Sequence, residues 1–161
     1  MFRPDLVDVW VFRDGPDGPE ILLMRRVPGR VLPGLWQGVS GSLETEERVV
    51  DGALRELLEE TGFARPVVEA LFDLDLVNQF HYAGLDAILT AAVFAARIRP
   101  GAEPVLSHEH DAARWLPLEA ALSEVIWPGY RESIRRIAEN LLDPARARWF
   151  ELADDGLNVI R

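Results

Sequence analysis

Glutamates are concentrated in one short segment of the chain, residues 41–63, whose sequence is GSLETEERVVDGALRELLEETGF. If the second half of this segment forms a helix, Glu56, Glu59 and Glu60 stand at positions i, i+3 and i+4 and share one face. The opposite face is apolar and consists of Val50, Leu54, Leu57 and Leu58. The pattern therefore predicts an amphipathic helix whose polar face is a patch of carboxylates.

Carboxylates at this spacing repel one another, at a cost of roughly a few tenths of a kcal/mol per pair. Since no lysine is interspersed among them, a bound cation would compensate for the repulsion. Carboxylates on a rigid helix are hard oxygen ligands, which suit Mg²⁺ or Mn²⁺. The alternative is an ordinary surface helix with a solvated acidic face.

Fixed spacings in the same segment resemble the Nudix box of the Nudix (MutT-like) hydrolases. Gly41 is followed after five residues by Glu47, and after seven more by residues 55–63, RELLEETGF, so that every fixed position of the box is matched. Such a match should arise by chance on the order of 10⁻⁹ to 10⁻⁸ times per start site at average residue usage. The resemblance implies an α/β fold of the α+β type, an α/β/α sandwich with a mixed β-sheet between helices. It also implies hydrolysis of a nucleoside diphosphate linked to another group.

Roles for individual residues follow from the same resemblance. The expected ligands of Mg²⁺, which Mn²⁺ can replace, are the carbonyl of Gly41 and the carboxylates of Glu56, Glu59, Glu60 and Glu109. Arg55 is expected to pair with Glu47 or Glu59 and to fix its rotamer, a task that suits a bidentate arginine fork. The catalytic base is expected to be Glu59 or Glu109, and the choice between them is open.

Two further stretches resemble the dihydroneopterin triphosphate pyrophosphohydrolase branch of the family. They are residues 36–44, WQGVSGSLE, and the frame that runs from Glu109-His110 to residues 114–116, RWL. In Nudix enzymes a carboxylate of this distal region can complete the metal site or act as the base, and Glu109 is the candidate here; otherwise it faces solvent. The histidines around it also suggest zinc, which the lack of thiols and the many carboxylates disfavour.

Strands are predicted at residues 6–13, 20–26, 35–43, 65–80 and 85–99, from their β-branched and aromatic content and the turn residues between them. Helices are predicted at residues 118–125 and 130–142. By the resemblance, these elements are expected to form one Nudix domain, residues 1–142. Residues 143–161 are expected to be a C-terminal extension that packs on the same domain or on a partner subunit.

Five residues near these elements are candidates for substrate contact. Arg25 and Arg26 end the first predicted hairpin and could grip phosphate or base. Trp36 could line the pocket, while Phe80 and Tyr82, in a predicted turn at residues 79–84, could stack on a base or a pterin. The structural alternatives are an exposed strand end for the arginines and packing for the aromatic residues.

The net charge of −10 and the pI near 4.7 argue against binding to duplex nucleic acid. A small anionic substrate is compatible with this net charge, because a bound metal ion makes the charge of the site locally positive. The chain has no cysteine and no lysine, which excludes disulfides, thiol catalysis and Schiff-base chemistry. Since there is no signal peptide and no long apolar segment, we expect a cytoplasmic protein without a membrane partner. A homodimer is left open.

The sequence thus predicts Mg²⁺-dependent hydrolysis of a phosphoanhydride bond in a nucleoside- or pterin-polyphosphate substrate. Dinucleoside polyphosphates and nucleotide sugars stay open as alternative substrates. A non-catalytic Nudix domain that senses a nucleotide is a further alternative, which the complete set of carboxylates disfavours.

Overall fold

Eight strands and four α-helices make up the computed structural model, which describes residues 1–160. The strands are β1 (Leu6–Gly15), β2 (Gly18–Arg26), β3 (Trp36–Gln37), β4 (Val39–Ser42), β5 (Val68–Tyr82), β6 (Ala87–Ile98), β7 (His110–Pro117) and β8 (Glu151–Leu152). The helices are α1 (Val49–Thr61), α2 (Leu118–Glu124), α3 (Pro128–Asn140) and α4 (Pro144–Ala147).

All eight strands belong to one mixed sheet, whose main path is β3-β2-β1-β6-β5-β8. β1 and β6 run parallel, and the other pairs are antiparallel. The sheet forks beside β1, because β4 pairs with its first half, from Leu6 to Val9, and β2 pairs with its second half. β7 pairs with β2. The fork brings β4, β3 and β7 to the same side of the molecule.

Hydrophobic residues on both faces of β1 explain the layers of the fold. Val7, Val9 and Val11 pack in one buried cluster with Ala53 and Leu57 of α1. Residues of the alternate register, among them Trp10 and Phe12, pack in a second cluster with side chains of α2 and α3. A strand buried on both faces reads as a continuous apolar run rather than an alternation. The predicted mixed sheet between helices is confirmed.

The predicted acidic helix is α1, and its polar face is only partly exposed. It ends at Gly62, whose φ of 72° is left-handed and whose N–H donates to the carbonyl of Leu58. Glu56 and Glu60 are buried, whereas Glu59 is exposed. Leu58, assigned above to the apolar face, is 48% exposed, which corrects that prediction. The helix therefore turns two of its three glutamates toward the protein interior.

The predicted turn at residues 79–84 is wrong in its first half. β5 continues to Tyr82 and pairs with β6 through Gln79–Thr90 and Tyr82–Ala87, and the turn lies at residues 83–86. The pairing of β5 with β6 shifts in register between Asp73 and Val77, with Asp75 at φ 50°, which marks a bulge in the strand. The tip of this hairpin extends beyond β1, whose pairing with β6 begins at Leu6–Ala91.

Within the described part of the C-terminal extension, α4 leads to β8, which adds to the edge of β5 through Leu71–Leu152. Residues 143–160 thus pack on the same sheet as the rest of the chain, while Trp149 is 65% exposed. The predicted boundary after residue 142 stays a prediction. No helix within residues 1–160 is long and apolar enough to cross a membrane.

Candidate active site

The centre of the site is the contact between β4 and α1. Gly41 pairs with Val7 of β1, and a Cβ atom added to Gly41 would come within 2.0 Å of Cδ of Glu56. A glycine is required here because the carboxylate fills the space that any side chain would take. The backbone of β4 and the Glu56 carboxylate therefore lie side by side, as expected for two oxygen ligands of one ion.

Glu60 is the most deeply buried carboxylate of α1, with 3% of its surface exposed. Burial first, and then the negative charges of Glu56 and Glu109, raise its pKa to about 9, against a backbone hydrogen bond from Ser40. Its Oε2 atom has no hydrogen-bond partner. In the metal-free protein at neutral pH, Glu60 is therefore protonated.

Glu56 is buried as well, and burial raises its pKa, while a hydrogen bond and the charge of Arg55 oppose that effect. The negative charges of Glu59 and Glu109 contribute in the same direction as burial. Two adjacent carboxylates, Glu56 and Glu60, are thus held away from water with only one arginine contact to Glu56. Such a pair is a strong attractor for a cation.

Arg55 forms the fork that the sequence predicts. Its Nε and Nη2 atoms donate to the two oxygens of Glu47 at 2.8 and 2.9 Å, and Nη1 reaches Glu56 at 2.7 Å and Glu59 at 3.3 Å. Nη2 also donates to the carbonyl of Ser42 at 2.9 Å. Hydrogen bonds from Arg55 lower the pKa of Glu47 to about 2. Arg55 therefore ties the loop after β4 to α1.

The distal candidate, Glu109, lies just before β7 and faces the same cluster. Its charge raises the pKa of both Glu56 and Glu60. Its Oε1 atom is 3.2 Å from Nη2 of Arg30, and its side chain is 30% exposed. Glu109 is therefore close to the acidic residues of α1 and still open to solvent, as is Glu59.

The described residues hold no group of three His, Cys, Asp or Glu side chains that already closes around one point. The donor set nevertheless fits a divalent ion of the Mg²⁺ type, because it consists of a backbone carbonyl and carboxylates, two of which, Glu56 and Glu60, are buried. Gly41 leaves the room for it beside Glu56. Side chains such as the exposed Glu59 would have to turn inward to complete the ligand set.

Three of the substrate candidates lie on the β2–β3 side of the fork. Arg25 is paired with Asp111 at 2.8 Å, and its guanidinium stands 5.8 Å from the ring centre of Trp36. Arg26 donates to the carbonyl of Val31 at 2.7 Å, and its charge lowers the pKa of the buried Glu60. Of the two arginines, Arg26 is thus the one whose charge acts on the acidic cluster.

Phe80 and Tyr82 are not brought to this cluster. They lie near the tip of the β5–β6 hairpin, where both are exposed. β5 is separated from β4 by β6 and β1, which amounts to about 14 Å at the usual strand spacing. Their predicted stacking role has no support in the arrangement of the strands.

Two further buried polar residues near the cluster were not assigned a role from the sequence. Asp8, on β1, is 6% exposed; burial raises its pKa, and hydrogen bonds from Ser40 and Asn78 oppose this. His110 is buried at the start of β7, with Nδ1 3.9 Å from Oε2 of Glu60. The only sequence signal for Asp8 is a lone acidic residue within an apolar strand.

A family model, described as the NUDIX domain, matches residues 3–137. Over 125 residues, 74% of this chain, the sequence is 38% identical to an octanoyltransferase of Myxococcus xanthus; the chain spans only 33% of that protein's length.

Among solved structures, a NUDIX hydrolase of Listeria monocytogenes, 22% identical, superposes with a TM-score of 0.71 and covers 87% of this chain and 95% of its own. The dihydroneopterin triphosphate pyrophosphohydrolase of E. coli, 26% identical, gives a TM-score of 0.66 over 81% of this chain and 92% of its own.

Proposed function

This chain belongs to the Nudix family, and we propose that it is a pyrophosphohydrolase that cleaves a phosphoanhydride bond with the help of Mg²⁺. The observation that carries the proposal is the buried pair of Glu56 and Glu60 beside Gly41. Two desolvated carboxylates cost free energy unless protons or a cation compensate for their charge. The buried pair is therefore best explained as a binding site for a cation.

The ligands would be the carbonyl of Gly41 and the carboxylates of Glu56, Glu59 and Glu60. A divalent ion bound there supplies positive charge, which offsets the charge of the phosphates and makes a water molecule more acidic. Arg55 holds Glu47 and Glu56 by hydrogen bonds, so that the ligands keep their rotamers when substrate arrives. Its role is positioning rather than contact with the phosphates.

The proton of the attacking water would pass to a carboxylate that solvent can reach. Glu59 and Glu109 meet this condition, with side chains 57% and 30% exposed. Glu109 also pairs with Arg30 at 3.2 Å, and its charge acts on both Glu56 and Glu60. We therefore assign the base to Glu109 and leave Glu59 as a metal ligand.

For the substrate we propose a nucleoside or pterin triphosphate. The likeness to the E. coli dihydroneopterin triphosphate pyrophosphohydrolase supports this class. Arg26 and Trp36, on adjacent strands beside the cluster, offer a cation for phosphate and a flat surface for a ring. Dinucleoside polyphosphates are the alternative, and the substrate panel below distinguishes the two classes.

A substrate panel with Mg²⁺ or EDTA tests the proposal. The panel contains a purine triphosphate, dihydroneopterin triphosphate, a dinucleoside tetraphosphate and ADP-ribose, and the readout is released phosphate and pyrophosphate. We expect Mg²⁺-dependent release from a triphosphate and a loss of about two orders of magnitude in Glu60→Gln. Glu119→Gln, in an exposed position on α2, is the matched control and should keep full activity. Binding without turnover in the whole panel would refute the enzyme and favour a nucleotide sensor.

A further inference from the structure

Two buried polar atoms beside the acidic cluster face each other without a partner. Oε2 of Glu60 and Nδ1 of His110 are 3.9 Å apart, and the two side chains are 4% and 0% exposed. Within residues 1–160 only one other buried side-chain nitrogen or oxygen, Nε1 of Trp10, lacks a hydrogen-bond partner. At 3.9 Å the separation is about 0.7 Å longer than the usual upper limit for a hydrogen bond. Leaving both atoms unpaired would cost about 1–3 kcal/mol each.

The other ring nitrogen of His110 decides which atom carries the proton. Nε2 of His110 is 3.2 Å from Nε2 of Gln37, which is also buried. An amide nitrogen only donates, so Nε2 of a neutral His110 must accept, and its proton must be on Nδ1. The N–H of Nδ1 then lies 3.9 Å from Oε2 of Glu60, which has no partner of its own.

Three separate elements bring this line of groups together. Gln37 belongs to β3 and His110 to β7; these strands pair with β2 at Met24 and at Arg26. Glu60 comes from the last turn of α1. Burial and the charge of Arg26 lower the pKa of His110, while the charges of Glu109 and Asp111 oppose this. The arrangement is thus fixed by the fold rather than by local sequence.

We propose that His110 is a positioning residue: it donates a hydrogen bond from Nδ1 to Oε2 of Glu60, and Gln37 holds it in that tautomer. This inference rests on the proposed function, in which Glu60 is a metal ligand. With Oε2 held by His110, the other oxygen of Glu60 is directed to the cluster with Glu56 and Gly41. Arg55 performs the corresponding task for Glu56 through its 2.7 Å contact.

The first test is the tautomer itself, read by ¹⁵N NMR of histidine-labelled protein loaded with Mg²⁺. The chain has only three histidines, so the imidazole signals can be assigned with single variants. We expect His110 to show a protonated Nδ1 and an unprotonated Nε2. A proton on Nε2 would overturn the proposal whatever the activity of the enzyme.

The second test compares His110→Asn with His110→Gln, in parallel with Glu60→Gln. The amide nitrogen of asparagine falls near the position of Nδ1, whereas that of glutamine falls near Nε2. We therefore expect His110→Asn to retain Mn²⁺ affinity within a few-fold, and His110→Gln to lose about 10- to 100-fold, measured by calorimetry without substrate. Thermal unfolding of each variant shows whether it is folded.

The outcomes separate this inference from the proposed function. If Glu60→Gln lowers Mn²⁺ affinity but both His110 variants bind as tightly as the wild type, His110 has no positioning role while the metal site stands. Equal losses in both His110 variants would likewise overturn the proposal, because they would indicate packing rather than a donor at Nδ1. If Glu60→Gln itself leaves both affinity and turnover unchanged, the proposed function and the role of His110 fail together.

Discussion

Gly41 lies so close to the Glu56 carboxylate that a Cβ atom on residue 41 would be 2.2 Å from either of its oxygens. Neither side can retreat easily. β4 is held to β1 by the Gly41–Val7 pair, and α1 is anchored by the buried side chains of Ala53 and Leu57. The contact therefore transmits any change at residue 41 to the carboxylate.

Gly41→Ala should accordingly displace Glu56 from the cluster. We expect kcat/KM to fall by about 100-fold and the free energy of unfolding by about 1–3 kcal/mol, as for other overpacked sites. The measurements are steady-state kinetics with Mg²⁺ and urea denaturation. Gly15→Ala is a matched control, since its Cβ would come within 2.4 Å of Cδ of Glu20, in the β1–β2 turn outside the cluster. If Gly41→Ala were fully active, the close contact with Glu56 would have no part in the site.

Arg55→Lys should weaken both the site and its acid stability, because one ammonium group cannot reach both oxygens of Glu47 and the carbonyl of Ser42. We expect turnover to fall by about 10- to 100-fold. The pKa of Glu47 is lowered from 4.5 to about 2 in the folded protein, so this pair stabilises the fold above pH 4.5 and the effect is lost as the pH falls toward 2.

Urea denaturation of wild type and Arg55→Lys between pH 2 and pH 7 measures this second effect. The difference in unfolding free energy should be largest above pH 4.5 and should shrink toward pH 2. A difference that did not vary with pH would mean that Arg55 contributes by packing alone.

Glu60→Gln should stabilise the metal-free protein while it lowers turnover by about two orders of magnitude. The pKa of Glu60 is raised from 4.5 to about 9, mainly by burial, so the folded state binds more protons than the unfolded state between these values. Stability must therefore decline as the pH rises from 4.5 to 9, and glutamine removes this decline. Thermal unfolding in EDTA at pH 8 should show a higher Tm for Glu60→Gln than for wild type, and added Mg²⁺ should stabilise only the wild type. A lower Tm in EDTA would contradict the buried acid.

Glu109→Gln tests the assignment of the base. Because Glu109 is partly exposed, glutamine should fold normally, and we expect kcat to fall by about 100-fold with loss of the acidic limb of the pH–rate profile. The Mn²⁺ affinity of the variant distinguishes a base from a metal ligand, since Glu109→Gln should lower this affinity only if Glu109 is a ligand. An unchanged profile and unchanged metal dependence would leave Glu109 as a surface residue and return the base to Glu59.

Local pattern was sufficient for those parts of the fold that depend on neighbours in sequence. The spacing of Glu56 and Glu60 opposite Leu57 predicted α1, and the apolar run of β1 predicted a strand. The fork between Arg55 and Glu47 followed from the resemblance to the Nudix box. Each of these features involves residues that lie within about ten positions of one another, where the pattern of residue types along the chain is informative.

The rest depends on strand order and register, which periodicity does not encode. Phe80 was predicted to lie in a turn, where it could stack on a base or a pterin, yet β6 and β1 separate it from β4. His110 faces Glu60 only because a shift in the pairing of β2 and β7 occurs between Arg25 and Arg26. Such contacts join residues fifty positions apart and require the tertiary structure.

Glu46 offers a prediction about stability rather than chemistry. Its φ of 63° is left-handed, which costs a non-glycine residue about 1–2 kcal/mol, whereas glycine adopts this conformation without that penalty. The side chain is exposed and has no hydrogen bond or ion pair within the described residues. Glu46→Gly should therefore raise the free energy of unfolding by about 0.5–1.5 kcal/mol in urea at neutral pH.

Glu46→Ala separates backbone strain from the loss of a negative charge near the start of α1. Alanine removes the same carboxylate but keeps the penalty for a left-handed backbone, so it should give no gain and should lose a few tenths of a kcal/mol of helix-dipole interaction. Equal stability of the alanine and glycine variants would show that strain at residue 46 is not what limits the loop. A gain in the glycine variant alone would show that this chain retains a strained backbone directly beside Glu47, whose pairing with Arg55 ties that loop to α1.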